Sequence, residues 1–145
     1  MKKDKQDGGL RKKNSPAGWL DSPALPCYTF SMASDTIFDK IIRREIPADV
    51  VYEDEVLLAF RDINPQAPVH VIVIPKKKIT GFDKLCELPD DYAGKYITGV
   101  SGVAKKLGLA NGYRIVFNSG TDGQQTVEYI HAHILGGRQM NWPPG

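Results

Sequence analysis

Residues 129–138 read Tyr-Ile-His-Ala-His-Ile-Leu-Gly-Gly-Arg, and they constrain the fold more than any other part of the chain. On a β-strand, successive side chains point to opposite faces. Tyr129, His131 and His133 then share one face, and the apolar residues between them share the other. The apolar face needs a core to cover it. The strand is therefore expected in a sheet that buries one face and presents two imidazoles, about 7 Å apart, on the other.

A pair of imidazoles on one face suits two kinds of chemistry. Neutral imidazole is a good nucleophile at neutral pH, so it can attack a phosphate ester, anhydride or phosphoramidate and form a phosphohistidine. His-x-His on a strand is also a zinc geometry, although the further ligands would have to come from His70 or Asp62. The chain has three histidines. These residues alone leave phosphorus chemistry and metal binding open.

Length and charge limit the class of protein. With 145 residues, of which 41% are hydrophobic and 25% charged, the chain is expected to form one globular domain. It contains no run of 18 apolar residues, so no membrane partner is expected. Residues 1–35 hold six Lys or Arg and four Asp or Glu, whereas residues 36–145 hold 13 of each. A domain with no net charge gives no electrostatic reason to expect a nucleic-acid partner.

The first 34 residues differ in composition from the rest. They mix Lys, Asp, Gly, Ser and Pro without a helical or strand period, which predicts a disordered tail before a domain at residues 35–145. They also lack the apolar core of a secretory signal. Cys27 and Cys86 are too isolated for a disulfide framework. Free thiols suit a reducing compartment, so we expect the protein in the cytoplasm and also in the nucleus.

Two helices and five strands are predicted. A short helix begins near Thr36 and ends before Pro47, and a long helix covers residues 89–107 and stops at Gly108. Strands are predicted at residues 49–53, 56–62, 69–75 and 113–118, followed by the histidine strand. A proline-stiffened loop covers residues 63–68, and a glycine-rich turn covers residues 119–125. This order is α+β with an antiparallel sheet.

The chain resembles the histidine triad family, specifically its Hint branch of histidine triad nucleotide-binding proteins. The histidine strand matches the family signature, in which three histidines alternate with apolar residues. Further matching segments are residues 35–38, 46–48, 59–70, 73–77, 112–114 and 138–145. The resemblance therefore covers residues 35–145, with several independent motifs in the right order.

The resemblance implies a fold, an activity and a partner. The fold would be HIT-like, with one long and one short helix, and two protomers would form one continuous antiparallel sheet in a homodimer. The activity would be hydrolysis of adenosine 5′-phosphoramidates, releasing AMP through a nucleotidyl-histidine intermediate. The partner would be this purine nucleotide substrate, and no cofactor or metal is expected.

The resemblance also implies roles for individual residues. His131 would be the nucleophile that becomes adenylylated, and His133 would bind the phosphate and assist departure of the leaving group. His70 would support the pair from beside it. Asp62 would accept hydrogen bonds from the ribose hydroxyls, which suits a carboxylate facing a diol.

The remaining implied residues line the substrate. Purine walls would come from Ile37, Phe38, Ile41, Phe60 and Ile63, for each of which ordinary core packing is the alternative. Contacts to the phosphate or the leaving group would come from Asn118, Gln125 and Thr126. Trp142 would reach toward the neighbouring protomer's site.

Two positions depart from the family pattern. Tyr129 stands where the family has its first histidine, although its backbone carbonyl can still orient His131. A phenol, with a pKa of about 10, does not titrate like an imidazole. We therefore expect slower turnover or a changed leaving-group preference, and we expect Tyr129→His to raise kcat. Gln124 stands where the family has a small glycine.

Three hypotheses remain from the sequence. The first is the nucleotide hydrolase, and the second is a metal site on His131 and His133. The third is a catalytically weakened, nucleotide-binding homodimer that acts as a sensor or scaffold, which Tyr129 favours.

Overall fold

The computed structural model describes residues 34–145, and these lie in one compact unit, Met32–Gly145. Apart from Ser34, the predicted tail lies outside the described residues, as does Cys27. The elements in chain order are α1 (Ile37–Ile42), β1 (Val50–Glu53), β2 (Leu57–Arg61), β3 (Val69–Pro75), a 3-10 helix (Phe82–Glu87), α2 (Asp90–Lys106), β4 (Tyr113–Phe117) and β5 (Ala132–Gly136). None of the described helices is long and apolar enough to cross a membrane.

The five strands form one antiparallel sheet in the order β1-β2-β3-β5-β4. The predicted α+β class, with one long and one short helix, is confirmed. β3 lies at the centre, between β2 and β5, and its last six residues are buried. This explains why β3 is apolar almost throughout, since a central strand is covered on both faces.

The pairing register sorts the side chains onto two faces. His133 pairs with Ile72 and His70 pairs with Leu135. Directly paired residues point to the same side of a sheet, so the histidines share what we call the histidine face. Ala132 and Ile134 pair with Val73 and Val71, and they point to the opposite side, which we call the helix face because α2 packs there. The predicted alternation is present within β5, from Ala132 to Gly136.

α2 covers the helix face closely. A Cβ placed on Gly99 would collide with Cδ2 of Leu57, so this glycine allows the helix axis to approach β2. Tyr96 is fully buried, and its hydroxyl donates to the Val73 carbonyl at 2.9 Å. As predicted, Gly108 follows the helix with φ +67°, the left-handed region that glycine adopts easily.

α1 covers part of the histidine face and is shorter than predicted. Thr36 and Asp39 form a capping box, in which each side chain accepts from the other residue's backbone N–H. The helix ends at Ile42, because Arg44 takes a left-handed φ of 63° and the chain turns. Ile46, which falls within the helix predicted to end before Pro47, packs on the core from the following loop instead.

β5 is also shorter than predicted. Its ladder to β3 ends at the Val73–Ala132 pair, so Tyr129 and His131 precede the strand. The backbone N–H of Ile130 donates to the Ile79 carbonyl, beyond the end of β3. The 3-10 helix at Phe82–Glu87 was not predicted, because none of its residues is buried and it therefore shows no apolar helical period.

Candidate active site

Three histidines converge on the histidine face. The ring centroids of His131 and His133 are 4.8 Å apart, and those of His70 and His133 are 5.1 Å apart. His131 is 5% exposed and His70 is 6% exposed, whereas His133 is half-buried. The site therefore brings together the three histidines that the sequence singled out, on β3, on β5 and just before β5.

His131 is oriented by the backbone two residues before it. Its Nδ1 lies 2.7 Å from the Tyr129 carbonyl oxygen, which can only accept, so Nδ1 carries the proton. In the neutral imidazole, Nε2 then has a free lone pair. A histidine held in this tautomer is prepared for nucleophilic attack through Nε2.

The tautomers of His70 and His133 follow from one backbone amide. The Gln66 N–H donates to Nδ1 of His70 at 3.0 Å, so a neutral His70 carries its proton on Nε2. That Nε2 lies 2.8 Å from Nδ1 of His133 and donates to it. His133 must then carry its own proton on Nε2. The loop therefore fixes His133 as a hydrogen-bond donor facing the site.

Burial keeps all three imidazoles neutral near pH 7. It lowers the pKa of His131 and of His70 below the usual 6.5, and the charge of Asp62 opposes both shifts. It lowers the pKa of His133 to about 4, with the neighbouring His131 and His70 adding to the effect. A neutral His131 is the nucleophilic form.

Asp62 closes the polar side of the cluster. Its Oδ1 accepts from the Asn64 N–H at 2.8 Å, and its Oδ2 lies 3.3 Å from Nε2 of His70. Each carboxylate oxygen has two lone pairs, so Asp62 retains capacity to accept further hydrogen bonds.

The five apolar residues assigned to a purine wall divide into two groups. Phe38, Ile41 and Phe60 are at most 6% exposed and belong to the core. Phe38 still meets the site, since its ring contacts the His131 ring edge-on with centroids 5.1 Å apart. Ile37 is 45% exposed and Ile63 is 97% exposed, so these two offer accessible apolar surface.

The glycine-rich turn gives Gln125 a different role from the predicted one. Both protons of its amide nitrogen are used, by the carbonyls of Thr80 and Val127, and its Oε1 accepts from the Gly120 N–H. It has no donor left for a phosphate oxygen, and it ties the turn to the chain after β3. Asn118 is half-buried and Thr126 is exposed at the two ends of this turn.

Some residues that build the site were missed by the sequence analysis. The backbone N–H of Gln66 sets the tautomers, and no side-chain signal marks a backbone donor. Arg138 donates to the Gln66 carbonyl at 3.2 Å and so holds the same loop. Trp142, which is predicted to reach toward the neighbouring protomer's site, is 84% exposed and is not brought to this protomer's histidines by any described contact.

Comparison with known proteins decides the family. Residues 43–140 match the model of the HIT domain. The chain belongs to the HIT domain family. It is 58% identical over 114 residues to the 14 kDa zinc-binding protein of Zea mays, covering 77% of this chain and 89% of that one. It is 55% identical to adenylylsulfatase HINT1 of Arabidopsis thaliana, over 77% of this chain and 78% of that one.

Solved structures agree with this assignment. A HIT family hydrolase from Legionella pneumophila superposes with a TM-score of 0.67 and 48% identity, covering 77% of this chain and all of that chain. A histidine triad nucleotide-binding protein from Candida albicans superposes with a TM-score of 0.63 and 31% identity, covering 75% and 83%. The HIT fold predicted from the sequence is confirmed.

The name of the maize relative raises the question of zinc. Asp62, His70 and His133 offer donor atoms that all lie within 4.8 Å of one another. However, the two histidine nitrogens are 2.8 Å apart. Two nitrogens at tetrahedral zinc are separated by about 3.3 Å, since each Zn–N bond is about 2.0 Å long. In this arrangement the two nitrogens share a proton, and they would have to move apart before both could bind zinc.

Proposed function

We propose that the protein hydrolyses purine nucleoside 5′-phosphoramidates and releases AMP through a nucleotidyl-histidine intermediate. The observation that carries this proposal is the pair of fixed tautomers. His131 presents a lone pair on Nε2 beside His133, which presents a proton on Nε2. One nitrogen attacks and the other donates, as displacement at phosphorus requires.

In the first step, the Nε2 lone pair of His131 forms a bond to phosphorus and the P–N bond of the substrate breaks. His133 donates a hydrogen bond toward the leaving nitrogen, which departs as an amine. This step takes up one proton from solvent, and the phosphorus is left on His131. The Nδ1 bond to the Tyr129 carbonyl stabilises the positive charge on the substituted ring.

In the second step, water attacks the phosphorus and the bond to His131 breaks. AMP leaves, the water gives up one proton, and the proton taken up in the first step is thereby returned. His131 regains its lone pair. The sum is one water consumed for each amine and each AMP released.

The surroundings support a nucleotide as substrate. Ile37 and Ile63 offer exposed apolar surface for a purine, and the edge of Phe38 extends it toward His131. Asp62 has lone pairs for the ribose hydroxyls. Asn118 and Thr126 flank the turn and would bind the phosphate, whereas Gln125 would hold that turn in place.

A homodimer belongs to this proposal. β4 is an edge strand of the sheet, and Tyr113 and Ile115 on it are 44% and 37% exposed. Pairing of two β4 strands would give one continuous ten-stranded sheet and would let Trp142 reach the partner's site. Light scattering should show a dimer in the unsubstituted protein and a monomer for Ile115→Lys.

The decisive experiment measures AMP release from a fluorogenic tryptamine phosphoramidate. The unsubstituted protein should turn over, and acid quenching should trap a nucleotidyl adduct that mass spectrometry places on His131. His131→Ala should lose both signals. Cys86→Ser, at an exposed position away from the histidines, is the control that should keep both. Equal AMP release by His131→Ala would overturn the mechanism.

The sensor or scaffold remains a second candidate, because the first position of the triad holds a buried tyrosine. It predicts that the unsubstituted protein binds AMP by calorimetry but releases none from the phosphoramidate. Detection of the adduct on His131 would exclude it.

A further inference from the structure

Tyr129 occupies an unusual position for a tyrosine next to a candidate nucleophile. Its side chain is fully buried, and its hydroxyl donates to the Pro75 carbonyl at 2.5 Å. Its ring contacts Phe38 edge-on, with centroids 5.9 Å apart. Burial raises the pKa of the phenol well above its usual value, so the hydroxyl keeps its proton and remains a donor.

The segment at Tyr129 is tied to the chain at and just beyond the end of β3 by two bonds, one from the Tyr129 hydroxyl and one from the Ile130 N–H to the Ile79 carbonyl. The β3–β5 ladder ends at the Val73–Ala132 pair, so the segment that carries Tyr129 and His131 lies beyond the strand. Pro75 is the last residue of β3. The Tyr129 hydroxyl therefore ties this segment to the last residue of β3 itself, whereas the Ile130 bond reaches the chain beyond the strand.

The same residue holds the nucleophile. The Tyr129 carbonyl accepts the Nδ1 proton of His131 at 2.7 Å. Phe38 contacts both rings, at 5.9 Å from Tyr129 and 5.1 Å from His131. The side-chain hydroxyl of Tyr129 is thus bound to β3, and its backbone carbonyl sets the direction of the His131 ring.

We propose that the bond between the Tyr129 hydroxyl and the Pro75 carbonyl positions His131 for attack on phosphorus. Tyr129 is a positioning residue, because its side chain acts through its own carbonyl and does not reach the reacting atoms. The proposal rests on the proposed function, which makes His131 the nucleophile. It also replaces the expectation that Tyr129→His raises kcat.

Tyr129→Phe tests the proposal because it removes only the hydroxyl. The matched control is Tyr96→Phe, since Tyr96 is equally buried and donates to the Val73 carbonyl of the same strand from the helix face. Both variants should lower the melting temperature by similar amounts. Tyr129→Phe should lower kcat roughly tenfold with an unchanged KM, since small misplacement of a reacting group is costly. Tyr96→Phe should leave kcat and KM unchanged.

Proton NMR supplies a readout that does not depend on turnover. The Nδ1 proton of His131 should give a protected low-field signal in the unsubstituted protein and in Tyr96→Phe, and the signal should exchange faster in Tyr129→Phe. If Tyr129→Phe fails to fold, hydrogen exchange in the unsubstituted protein still tests the proposal. Its Tyr129 hydroxyl proton and its His131 Nδ1 proton should be protected by the same factor relative to a free phenol and a free imidazole, because one opening exposes both. A much smaller protection factor for the His131 proton would overturn the proposal.

Tyr129→His gives the sharpest kinetic comparison. An imidazole is shorter than a phenol and leaves the Pro75 carbonyl without its donor, so kcat should fall as in Tyr129→Phe. A rise in kcat, or wild-type kcat in Tyr129→Phe, would overturn the positioning role. Absence of turnover in the unsubstituted protein would overturn the proposed function instead, while the two proton signals would still test the positioning.

Discussion

The two faces of the sheet use the same strands for opposite purposes. On the helix face, Gly99, Leu57 and Val73 bring α2 into close apolar contact with the strands. On the histidine face, apolar residues such as Ile72 and Phe60 lie beside the three histidines, and each histidine is held by a specific hydrogen bond. The helix face contributes free energy of folding through buried area. On the histidine face, burying three polar imidazoles in fixed orientations costs part of that free energy. Residues that pack against α2 and residues that face the candidate site therefore alternate along the strands, one position apart.

The largest effect should come from removing the proposed nucleophile alone. His131→Ala is expected to lower kcat about ten-thousandfold, which corresponds to roughly 5.5 kcal/mol, while the melting temperature changes little. Single-turnover AMP release and thermal unfolding, measured on the same preparation, check this. A large loss of stability would show that the two faces are not separable.

Leu57→Ala is the complementary change on the helix face. Leu57 is fully buried against Gly99 of α2. Truncation should cost about 3 kcal/mol of unfolding free energy, since it opens a cavity in the core. The kcat of the folded fraction should stay at the wild-type value. Urea unfolding and active-site titration of the adduct measure the two quantities, and a lower kcat for each adduct-forming site would contradict the separation.

Acid should lower the free energy of unfolding, and the three histidines should contribute first as the pH falls. The pKa of His133 is about 4 in the folded protein, against 6.5 for the free side chain, and His131 and His70 shift in the same direction. Between pH 6.5 and pH 4 the unfolded chain binds more protons, so the free energy of unfolding should fall as the pH falls through this range. Urea titrations from pH 7 to pH 4 measure the slope. A slope of zero would mean that these imidazoles are not buried in solution.

The smallest effect is expected at the turn beside the histidine face. Gln124 has φ 58°, a left-handed conformation that favours glycine. Gln124→Gly should therefore stabilise the folded protein by up to about 1 kcal/mol and should leave the pKa of His133 unchanged. Differential scanning calorimetry checks the first expectation, and an NMR titration checks the second.

The sequence predicted much of the fold because the periodic signals were local. The structure contains the predicted alternation in β5, the apolar run in β3 and the apolar stripe on α2. The 3-10 helix and the early end of α1 were missed, since a left-handed turn at Arg44 has no strong side-chain signature. At the site, the sequence identified the three histidines. It did not identify the Gln66 N–H or the Pro75 carbonyl, because backbone groups act through position and not through residue type.

The exposed edge of the sheet carries a consequence for handling the protein. β4 reads Tyr-Arg-Ile-Val-Phe, a β-prone segment with one charge and no proline, and its outer backbone groups have no strand beside them in the described chain. Such an edge templates the addition of further strands. If two β4 edges cover each other in the proposed homodimer, a variant made monomeric by a change elsewhere would therefore lose solubility and form fibrous aggregates on storage, and a charge placed within β4 itself would suppress them.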